Sequence, residues 1–188
     1  MSTEFPQLKT ARLLLREIRA TDASALYTIH SDAPAMRWFG VDPLTQPAQA
    51  EVLAAQFASA FGAGTGMRWA IVRRDDDQLI GTCGLFRWNR NWRSCLIGYE
   101  LAHAMQRRGY MREALGAVLD YGFGTMALHR IQAESHADNA ASVGLLETSG
   151  FQFEGIHREQ GFWSGQFHDL RCYGLLAREW AAHQSNDK

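Results

Sequence analysis

The part of this chain that most limits its fold is residues 97–125, where a strand, a glycine turn and an amphipathic helix follow one another. An apolar run at 97–101 predicts the strand. The sequence Q-R-R-G-Y-M at 106–111 leads into a helix, in which apolar residues recur at i, i+3, i+4, i+7 and i+8. These residues are Met111, Ala114, Leu115, Val118 and Leu119. The pattern predicts a strand–turn–helix unit that buries one face of the helix.

The turn of this unit has the features of an anion site. Gly109 lies where the turn ends and the helix begins, so amide N–H groups and the positive end of the helix dipole converge there. Arg107, Arg108 and Arg112 add full positive charges. A plain packing unit with a solvated basic rim fits the same residues, and both interpretations stay open. Neither G-x-x-x-x-G-K-[ST] nor G-x-G-x-x-G occurs in the sequence, so a phosphate site here belongs to another family.

The composition limits the class of protein. A chain of 188 residues, 46% hydrophobic and 21% charged, is ordinary for one globular domain with a sizeable core. The 19 Lys and Arg nearly balance the 20 Asp and Glu, which argues against a nucleic-acid partner. Because no apolar run suits a signal peptide or a membrane span, we expect a cytoplasmic protein with no membrane partner. Cys83, Cys95 and Cys172 are expected to be buried thiols, with no metal site.

The rest of the chain alternates between strand and helix patterns. Strands are predicted near residues 13–18, 69–73, 79–86, 95–101, 131–134, 151–156 and 170–176, and helices near 22–29, 48–61, 110–125 and 140–148. This layout predicts an α/β protein (α+β, mixed sheet) with a single domain over 1–188, a core at about 10–180 and a polar, frayed C-terminal tail. The loop over 32–47 carries Met36, Trp38 and Phe39, which either pack down or contact a substrate.

An ordered series of short motifs runs along most of the chain. T-A-R-L-L-L-R at 10–16 and G-Y-E-L at 98–101 are followed by Q-x-x-G-Y-x-x-E-A at 106–114. N-x-x-S at 139–142, G-F at 150–151 and D-x-x-x-Y at 169–173 complete the series. From about Thr10 to Trp180, this order resembles the GNAT superfamily of acetyl-coenzyme A-dependent N-acetyltransferases. It is most similar to the branch that acetylates serine or alanine amino termini of ribosomal proteins.

The resemblance implies a fold and a cosubstrate, acetyl-coenzyme A (acetyl-CoA). The implied sheet is twisted, mostly antiparallel and flanked by helices, and its fourth and fifth strands splay apart. The pantetheine arm would add between them, against backbone groups of Leu101 and Ala102, with an N–H near Leu101 stabilising the oxyanion. The pyrophosphate turn of the family corresponds to Gln106, Arg107, Arg108, Gly109, Tyr110 and Met111. Met111 departs from the usual small residue, so its side chain must turn into the core to leave room for the cofactor.

The resemblance also implies a base for the acceptor amine. Attack needs a neutral amine, and a carboxylate, directly or through water, is the usual proton acceptor. Glu100 lies beside the expected thioester and is the leading candidate; its alternative role is a strand residue paired with an arginine. Glu134 on the neighbouring strand is the second candidate, and His103 and His136 are weaker ones.

A further motif concerns the departing thiolate. Many GNAT enzymes protonate it from a tyrosine four residues before the Gly-Phe pair, but here that position is Leu146. The N-terminal acetyltransferase branch instead resembles this chain in its N-x-x-S motif. By that resemblance Ser142 donates to the thiolate and Asn139 holds the pantetheine amide. Simple capping of a helix by the same two residues is the alternative, and both roles are compatible.

The sequence leaves the acceptor open. In the first hypothesis, the α-amine of a protein or peptide attacks acetyl-CoA directly in a ternary complex. In the second, the acceptor is a small amine such as a polyamine, amino sugar, amino acid or drug. The 36–39 loop and the Trp163 segment would border the acceptor pocket, and their aromatic character suits either acceptor. The third is a non-catalytic acyl-CoA sensor, favoured by Leu146 and disfavoured by Glu100 and the N-x-x-S motif. A homodimer is compatible with all three.

Overall fold

The structure, a computed structural model, describes residues 4–186, which form a single sheet of eight strands with helices packed on it. The strands are β1 (Leu8–Lys9), β2 (Leu13–Glu17), β3 (Met67–Arg73), β4 (Leu79–Asn89), β5 (Ser94–Leu101), β6 (Arg130–His136), β7 (Gln152–Trp163) and β8 (Gln166–Leu176). The helices are α1 (Ala23–His30), α2 (Ala33–Met36), α3 (Pro47–Gly62), α4 (Tyr110–Asp120), α5 (Ala140–Thr148) and α6 (Ala177–Asn186).

The sheet has the order β1-β2-β3-β4-β5-β6-β8-β7. All neighbouring strands are antiparallel except β5 and β6, which are parallel. The connection between these two contains α4, since parallel neighbours need a long crossover. The predicted mixed, mostly antiparallel sheet is therefore confirmed. Because the short β1 has no counterpart among the predicted strands, the fourth and fifth strands of the family pattern are β5 and β6.

β5 and β6 separate after a short common stretch. They pair from Ser94 opposite Arg130 to Ile97 opposite Ala133, where the ladder ends. Within residues 4–186, the continuation of β5 over 98–101 pairs with β4 alone, and that of β6 over 134–136 pairs with β8 alone. Each strand therefore has a free edge facing the other. The predicted splay is confirmed.

Apolar side chains are buried in two clusters. The larger contains the predicted stripe of α4 together with sheet residues such as Leu85 and Ile131. The smaller lies between α1, α3 and the sheet and includes Leu26 and Ala54. Because the stripe of α4 is anchored in the larger cluster, the turn before α4 has a fixed position relative to β5. Among residues 4–186, no helix is both long and apolar enough to cross a membrane.

Besides β1, the β7–β8 hairpin, the C-terminal tail and the 32–47 loop differ from the predictions. β7 extends as far as Trp163, and β8 already begins at Gln166. The two strands therefore form one long hairpin in the region where a polar connection is predicted. Side chains of β7 are exposed along nearly all its length, so the alternation that identifies a strand is missing. The tail expected to be frayed is helical through Asn186, because Trp180 is buried and its Nε1 donates to Asp120 Oδ1 at 2.9 Å. The 32–47 loop contains the short helix α2.

Candidate active site

A cleft of about 890 Å3 follows the split between β5 and β6. It extends from the N-terminus of α4 through the split to the 32–47 loop and the β7–β8 hairpin. Glu100 and Glu134 line its middle, together with Asn139 and Ser142 at the start of α5. The predicted anion turn, the leading base candidates and the N-x-x-S motif therefore border one continuous space.

The turn before α4 presents backbone N–H groups to one end of the cleft. Arg107 and Gly109 have positive φ angles of 60° and 79°, and α4 begins at Tyr110. The first N–H groups of an α-helix have no partner within the helix, and turns of this kind form concavities that bind anions. The cleft is lined here by Gln106, Arg107, Gly109, Tyr110, Met111 and Arg112. The turn thus has the geometry of an anion site.

Met111, the residue that departs from the family pattern, is accommodated by the core. It is 8% exposed and packs in the larger cluster with Ala114 and Leu115. Its side chain therefore meets the condition for leaving the cofactor space clear. Arg108 lies outside the cleft lining, and its carbonyl accepts from Arg12 Nη1 at 3.0 Å.

Residues near the N-terminus of the chain hold the anion turn. Glu113 accepts hydrogen bonds from Thr10 Oγ1 at 2.5 Å, from the Arg12 backbone N–H at 2.8 Å and from Arg12 Nε at 2.6 Å. The Arg12 guanidinium also lies 4.5 Å from the centroid of the Tyr110 ring. Burial alone would raise the pKa of Glu113, but these hydrogen bonds hold it below its usual value. Two motifs far apart in sequence are therefore joined at the turn.

The backbone at the split offers an N–H to the middle of the cleft. The Ala102 N–H donates to the Ile80 carbonyl at 2.8 Å, toward β4. Because successive N–H groups of a strand point in opposite directions, that of Leu101 points toward the split. Leu101 lines the cleft, and its carbonyl accepts from Gln106 Nε2 at 3.3 Å. Ala102 lies outside the lining, so Leu101 is the better placed of the two predicted backbone contacts.

Glu100 lies at the split but already has partners. Its side chain is 4% exposed and forms an ion pair with Arg68, which is 11% exposed. Thr82 Oγ1 donates to Glu100 Oε1, and His30 Nε2 lies 3.3 Å from the same oxygen. Burial alone would raise the pKa of Glu100, but the Arg68 charge, with His30 and Thr82, holds it below its usual value. The arginine partner of its alternative role is present; the role of base stays a prediction.

Tyr99 and Ser142 meet on the other side of β5 from Glu100, since neighbouring side chains of a strand point to opposite faces. The Tyr99 hydroxyl lies 2.9 Å from Ser142 Oγ, and both residues line the cleft. Asn139 Oδ1 accepts from the Ser142 N–H at 3.1 Å, so Asn139 caps α5. Burial raises the pKa of Tyr99, which keeps the phenol protonated near neutral pH. Leu146 is fully buried.

Aromatic rings form a wall at the far end of the cleft. Trp38 stacks on His136 with 4.2 Å between centroids, and Trp163 stacks on His168 at 3.7 Å. Trp163 Nε1 also donates to the Arg37 carbonyl at 3.2 Å. The hairpin turn is thereby fixed to the 32–47 loop.

The 32–47 loop both packs and lines the cleft. Met36 is 1% exposed, whereas Trp38 and Phe39 belong to the cleft lining. A second attachment to the hairpin comes from the Ser164 N–H, which donates to Asp42 Oδ1 at 2.7 Å. Met36 therefore packs down, and Trp38 and Phe39 border the cleft. Contact of these two rings with a substrate stays a prediction.

The other base candidates occupy different positions. Glu134 lines the cleft, and its Oε1 lies 3.6 Å from His157 Nδ1. His136 also lines it, but its Nδ1 accepts from the Asp138 N–H at 3.1 Å, so the hydrogen of the neutral ring is on Nε2. Burial lowers the pKa of His136, which keeps that ring neutral near pH 7. His103 is exposed and outside the lining. Glu134 is the remaining alternative to Glu100.

Several side chains of this site cannot be found by reading the sequence. Arg68 and Glu100 are 32 residues apart, and Tyr99 and Ser142 are 43 apart. No local spacing connects either pair. One signal was available for Glu100, because a charged residue inside an apolar strand requires a buried partner.

The sequence and the fold can be compared with known proteins. Residues 12–152 match the acetyltransferase (GNAT) domain family. The chain is 36% identical over 172 residues to the uncharacterized N-acetyltransferase YoaA of Bacillus subtilis (strain 168), covering 92% of this chain and 97% of that protein. It is 29% identical over 118 residues to the ribosomal protein uS5-alanine N-acetyltransferase of Escherichia coli (strain K12), covering 62% of this chain and 61% of that protein.

A solved structure shows the same fold. Spermidine N-acetyltransferase from Vibrio cholerae, in complex with CoA and spermine, superposes with a TM-score of 0.81 at 23% identity and covers 92% of this chain and 99% of that chain. The family match spans most of the present sequence, and the split sheet is retained. The chain therefore belongs to the GNAT family of N-acetyltransferases.

Proposed function

We propose that this protein transfers the acetyl group of acetyl-CoA to the α-amine of a protein or peptide, by direct attack in a ternary complex. The observation that carries the proposal is the split between β5 and β6, with the anion turn at one end and polar side chains at its middle. Membership of the GNAT family supports the reaction class. The choice of acceptor depends on the charges of the cleft.

The residues of the cleft fit acetyl-CoA. N–H groups at the start of α4, with Arg107, suit its diphosphate. The free edges over 98–101 and 134–136 suit an arm that carries amide groups, because an extended chain can add to a strand edge. Acetyl-CoA supplies an activated acyl group, and the Leu101 N–H is a donor for its carbonyl oxygen. The protein's own part is to orient the reactants and to place hydrogen-bond donors.

The state of Glu100 favours an acceptor of low pKa. An α-amine has a pKa of about 8, so part of it is neutral near pH 7, whereas a lysine side chain at about 10.4 is almost wholly protonated. Because Arg68, His30 and Thr82 keep the pKa of Glu100 low, Glu100 retains a proton poorly. We expect Glu100 to orient the amine through water while the proton passes to solvent. An α-amine suits this arrangement better than a lysine.

The charges of the cleft disfavour a polyamine. Among the described residues, the carboxylates that line it are Glu100 and Glu134. The first is paired with Arg68, so among the described residues Glu134 is the one lining carboxylate left for a cation. A polyamine carries several positive charges and needs unpaired carboxylates along its length. An α-amine makes no such demand, and the E. coli relative is named as an alanine N-acetyltransferase of ribosomal protein uS5.

An acceptor screen read by mass spectrometry tests the proposal. Peptides that begin with Ser or Ala should gain one acetyl group at the N-terminus. The matched control is the same peptide with a blocked N-terminus and a free lysine, which should gain none. Spermidine, an amino sugar and free amino acids complete the panel.

Each result of the screen separates the hypotheses. Faster turnover of a small amine than of any peptide would favour the small-molecule alternative. Tight binding of acetyl-CoA without turnover of any acceptor would favour the sensor. Full turnover by both Glu100→Gln and Ser142→Ala would refute the roles assigned to those two residues.

A further inference from the structure

On the leaving-group side of the cleft, the Ser142 hydroxyl that the family pattern assigns to the thiolate meets a second hydroxyl, that of Tyr99, to which the pattern gives no role. Leu146 fills the position of the usual tyrosine and is buried in the larger core cluster, so α5 presents no phenol there. Tyr99, from β5, places a phenol 2.9 Å from Ser142 Oγ. We propose that Tyr99 is a positioning residue, which donates to Ser142 and directs the Ser142 hydroxyl hydrogen toward the sulfur of the thioester. This inference rests on the acetyl transfer proposed above.

The direction of the hydrogen bond follows from the chemistry of the two hydroxyls. Burial raises the pKa of Tyr99, so its phenol keeps its hydrogen throughout the neutral range. A phenol ionises more readily than an aliphatic hydroxyl, which makes Tyr99 the better donor and Ser142 the acceptor. A hydroxyl has a single hydrogen to donate. When Ser142 accepts from Tyr99, its own hydrogen is available to the cleft.

Both hydroxyls are held in place. Tyr99 packs against the larger core cluster, and the Ser142 N–H is bound by Asn139 Oδ1 at 3.1 Å. A donor that is itself hydrogen-bonded at its oxygen is polarised, which strengthens the hydrogen bond it makes in turn. The Tyr99–Ser142 pair is therefore a stronger donor toward the cleft than Ser142 alone.

The position of Tyr99 beside Glu100 gives β5 two chemical faces. Neighbouring side chains of a strand point to opposite sides. The carboxylate of Glu100 faces Arg68 and His30, and the phenol of Tyr99 faces Ser142. In this proposal Glu100 acts on the amine from one face of β5, and the Tyr99–Ser142 pair acts on the departing sulfur from the other face.

The reaction needs no additional reactant. The amine nitrogen forms a bond to the acyl carbon, the carbon–sulfur bond breaks, and sulfur takes the electron pair. The Ser142 hydroxyl hydrogen-bonds to the charge that grows on sulfur, while Tyr99 keeps its proton. The surplus proton of the amine leaves through water, and the released thiolate takes a proton from solvent.

Steady-state kinetics of Tyr99→Phe, Ser142→Ala and the double variant test the role of Tyr99. Each single variant should lower kcat about tenfold and leave the KM for acetyl-CoA within about twofold, the effect of one lost hydrogen bond in the transition state. The double variant should lose no more than S142A alone, because Tyr99 acts through Ser142. Tyr121→Phe is the matched control: Tyr121 packs on Trp69, outside the cleft lining, and Y121F should keep the wild-type kcat.

A binding measurement tests the same pair without turnover. The affinity of CoA, the free thiol, is measured by isothermal titration calorimetry as a function of pH. A hydrogen bond aimed at sulfur favours the thiolate, so the pKa of the bound thiol should be lower in the wild type than in Y99F or S142A, by up to about 1 unit. A purely structural role of Tyr99 would not move this pKa.

The outcomes distinguish this inference from the proposed function. Wild-type kcat in Y99F, additive losses in the double variant, or an unchanged pKa of the bound thiol would each overturn the role of Tyr99. If the wild type acetylates no amine, the proposed function fails, and the pKa of the bound thiol still reports on the pair. If Y99F is too unstable to assay, S142A decides, because an unchanged thiol pKa in that variant overturns the inference.

Discussion

Replacing Glu100 with glutamine should destabilise the folded protein, whatever its effect on the reaction. Glutamine keeps the shape of the side chain but leaves the Arg68 charge in a site where the two side chains are 4% and 11% exposed. Removing one partner of a buried ion pair costs about 3–5 kcal/mol, and we expect the lower end because glutamine keeps one acceptor oxygen. For a chain of this size, about 1 kcal/mol shifts Tm by about 2–4 °C. The Tm of E100Q should therefore fall by about 6–12 °C.

Differential scanning calorimetry and urea denaturation near neutral pH measure this loss, with Glu154→Gln as the matched control. Glu154 also pairs with an arginine, Arg130, but the two side chains are 40% and 26% exposed. An exposed ion pair is worth about 0–1 kcal/mol because water screens both charges. E154Q should thus lower Tm by no more than about 4 °C.

The effect of E100Q should depend on pH in one direction. The pKa of Glu100 is lower in the folded state, so its contribution to stability is present above its unfolded pKa of about 4.3 and is lost as the pH falls through the folded value. The difference in unfolding free energy between the wild type and E100Q should therefore shrink in acid. Equal Tm values for the wild type and E100Q, or equal losses in E100Q and E154Q, would refute the view that Glu100 is the counterion of a buried arginine.

Other measurements test the anion turn, the amine and the thiols. Gly109→Ala should weaken acetyl-CoA binding about tenfold and Gly109→Asn less, because asparagine tolerates a φ of 79° better; calorimetry measures both. Glu113→Gln should raise the KM for acetyl-CoA about fivefold with little change in kcat, because it weakens the hydrogen bonds from Thr10 and Arg12 that hold the turn. Steady-state kinetics measures both constants, and a change in kcat as large as that in KM would contradict this prediction. With a peptide acceptor, kcat/KM should rise about tenfold per pH unit up to the α-amine pKa of about 8. A second inflection of this pH profile near pH 6, from a carboxyl group of the enzyme, would contradict the lowered pKa of Glu100. Burial raises the pKa of Cys83 and Cys95 to about 12, so iodoacetamide should label native protein at the partly exposed Cys172, as peptide mapping can check.

The elements governed by one-sided burial could be predicted from the sequence. α4 forms where its apolar residues recur on one face, although it ends at Asp120 and continues as a π-helical turn over Tyr121–Thr125. The β7–β8 hairpin could not be predicted in full. Its outer part is exposed on both faces, and the register of the hairpin shifts between Phe153 and Gly155 and again between His157 and Gly161. Neither burial nor pairing therefore leaves an alternating pattern. All three thiols are predicted to be buried. The prediction is confirmed for Cys83 and Cys95 and wrong for Cys172, which is partly exposed.

The site shows the same division between local and long-range information. The anion turn is a local feature, in which a glycine of positive φ precedes the first turn of a helix, and six adjacent residues describe it. The surroundings of Glu100 are not local. Arg68, Thr82 and His30 come from three different elements, and nothing in their own segments marks them as partners of a carboxylate. Only the register of β3, β4 and β5 and the packing of α1 bring them together.

The motif at the N-terminus explains why an ordered series of weak motifs can identify this fold. Thr10, Arg12 and Glu113 do not belong to the lining of the cleft. Their hydrogen bonds nevertheless fix the start of α4 to the start of β2, and Arg12 holds the Arg108 carbonyl between the two residues of positive φ. The direction of the turn's N–H groups depends on that attachment as much as on Gly109. A substitution in the N-terminal motif therefore acts on the anion site through the backbone of the turn, and the two motifs must be retained together for the turn to keep its geometry.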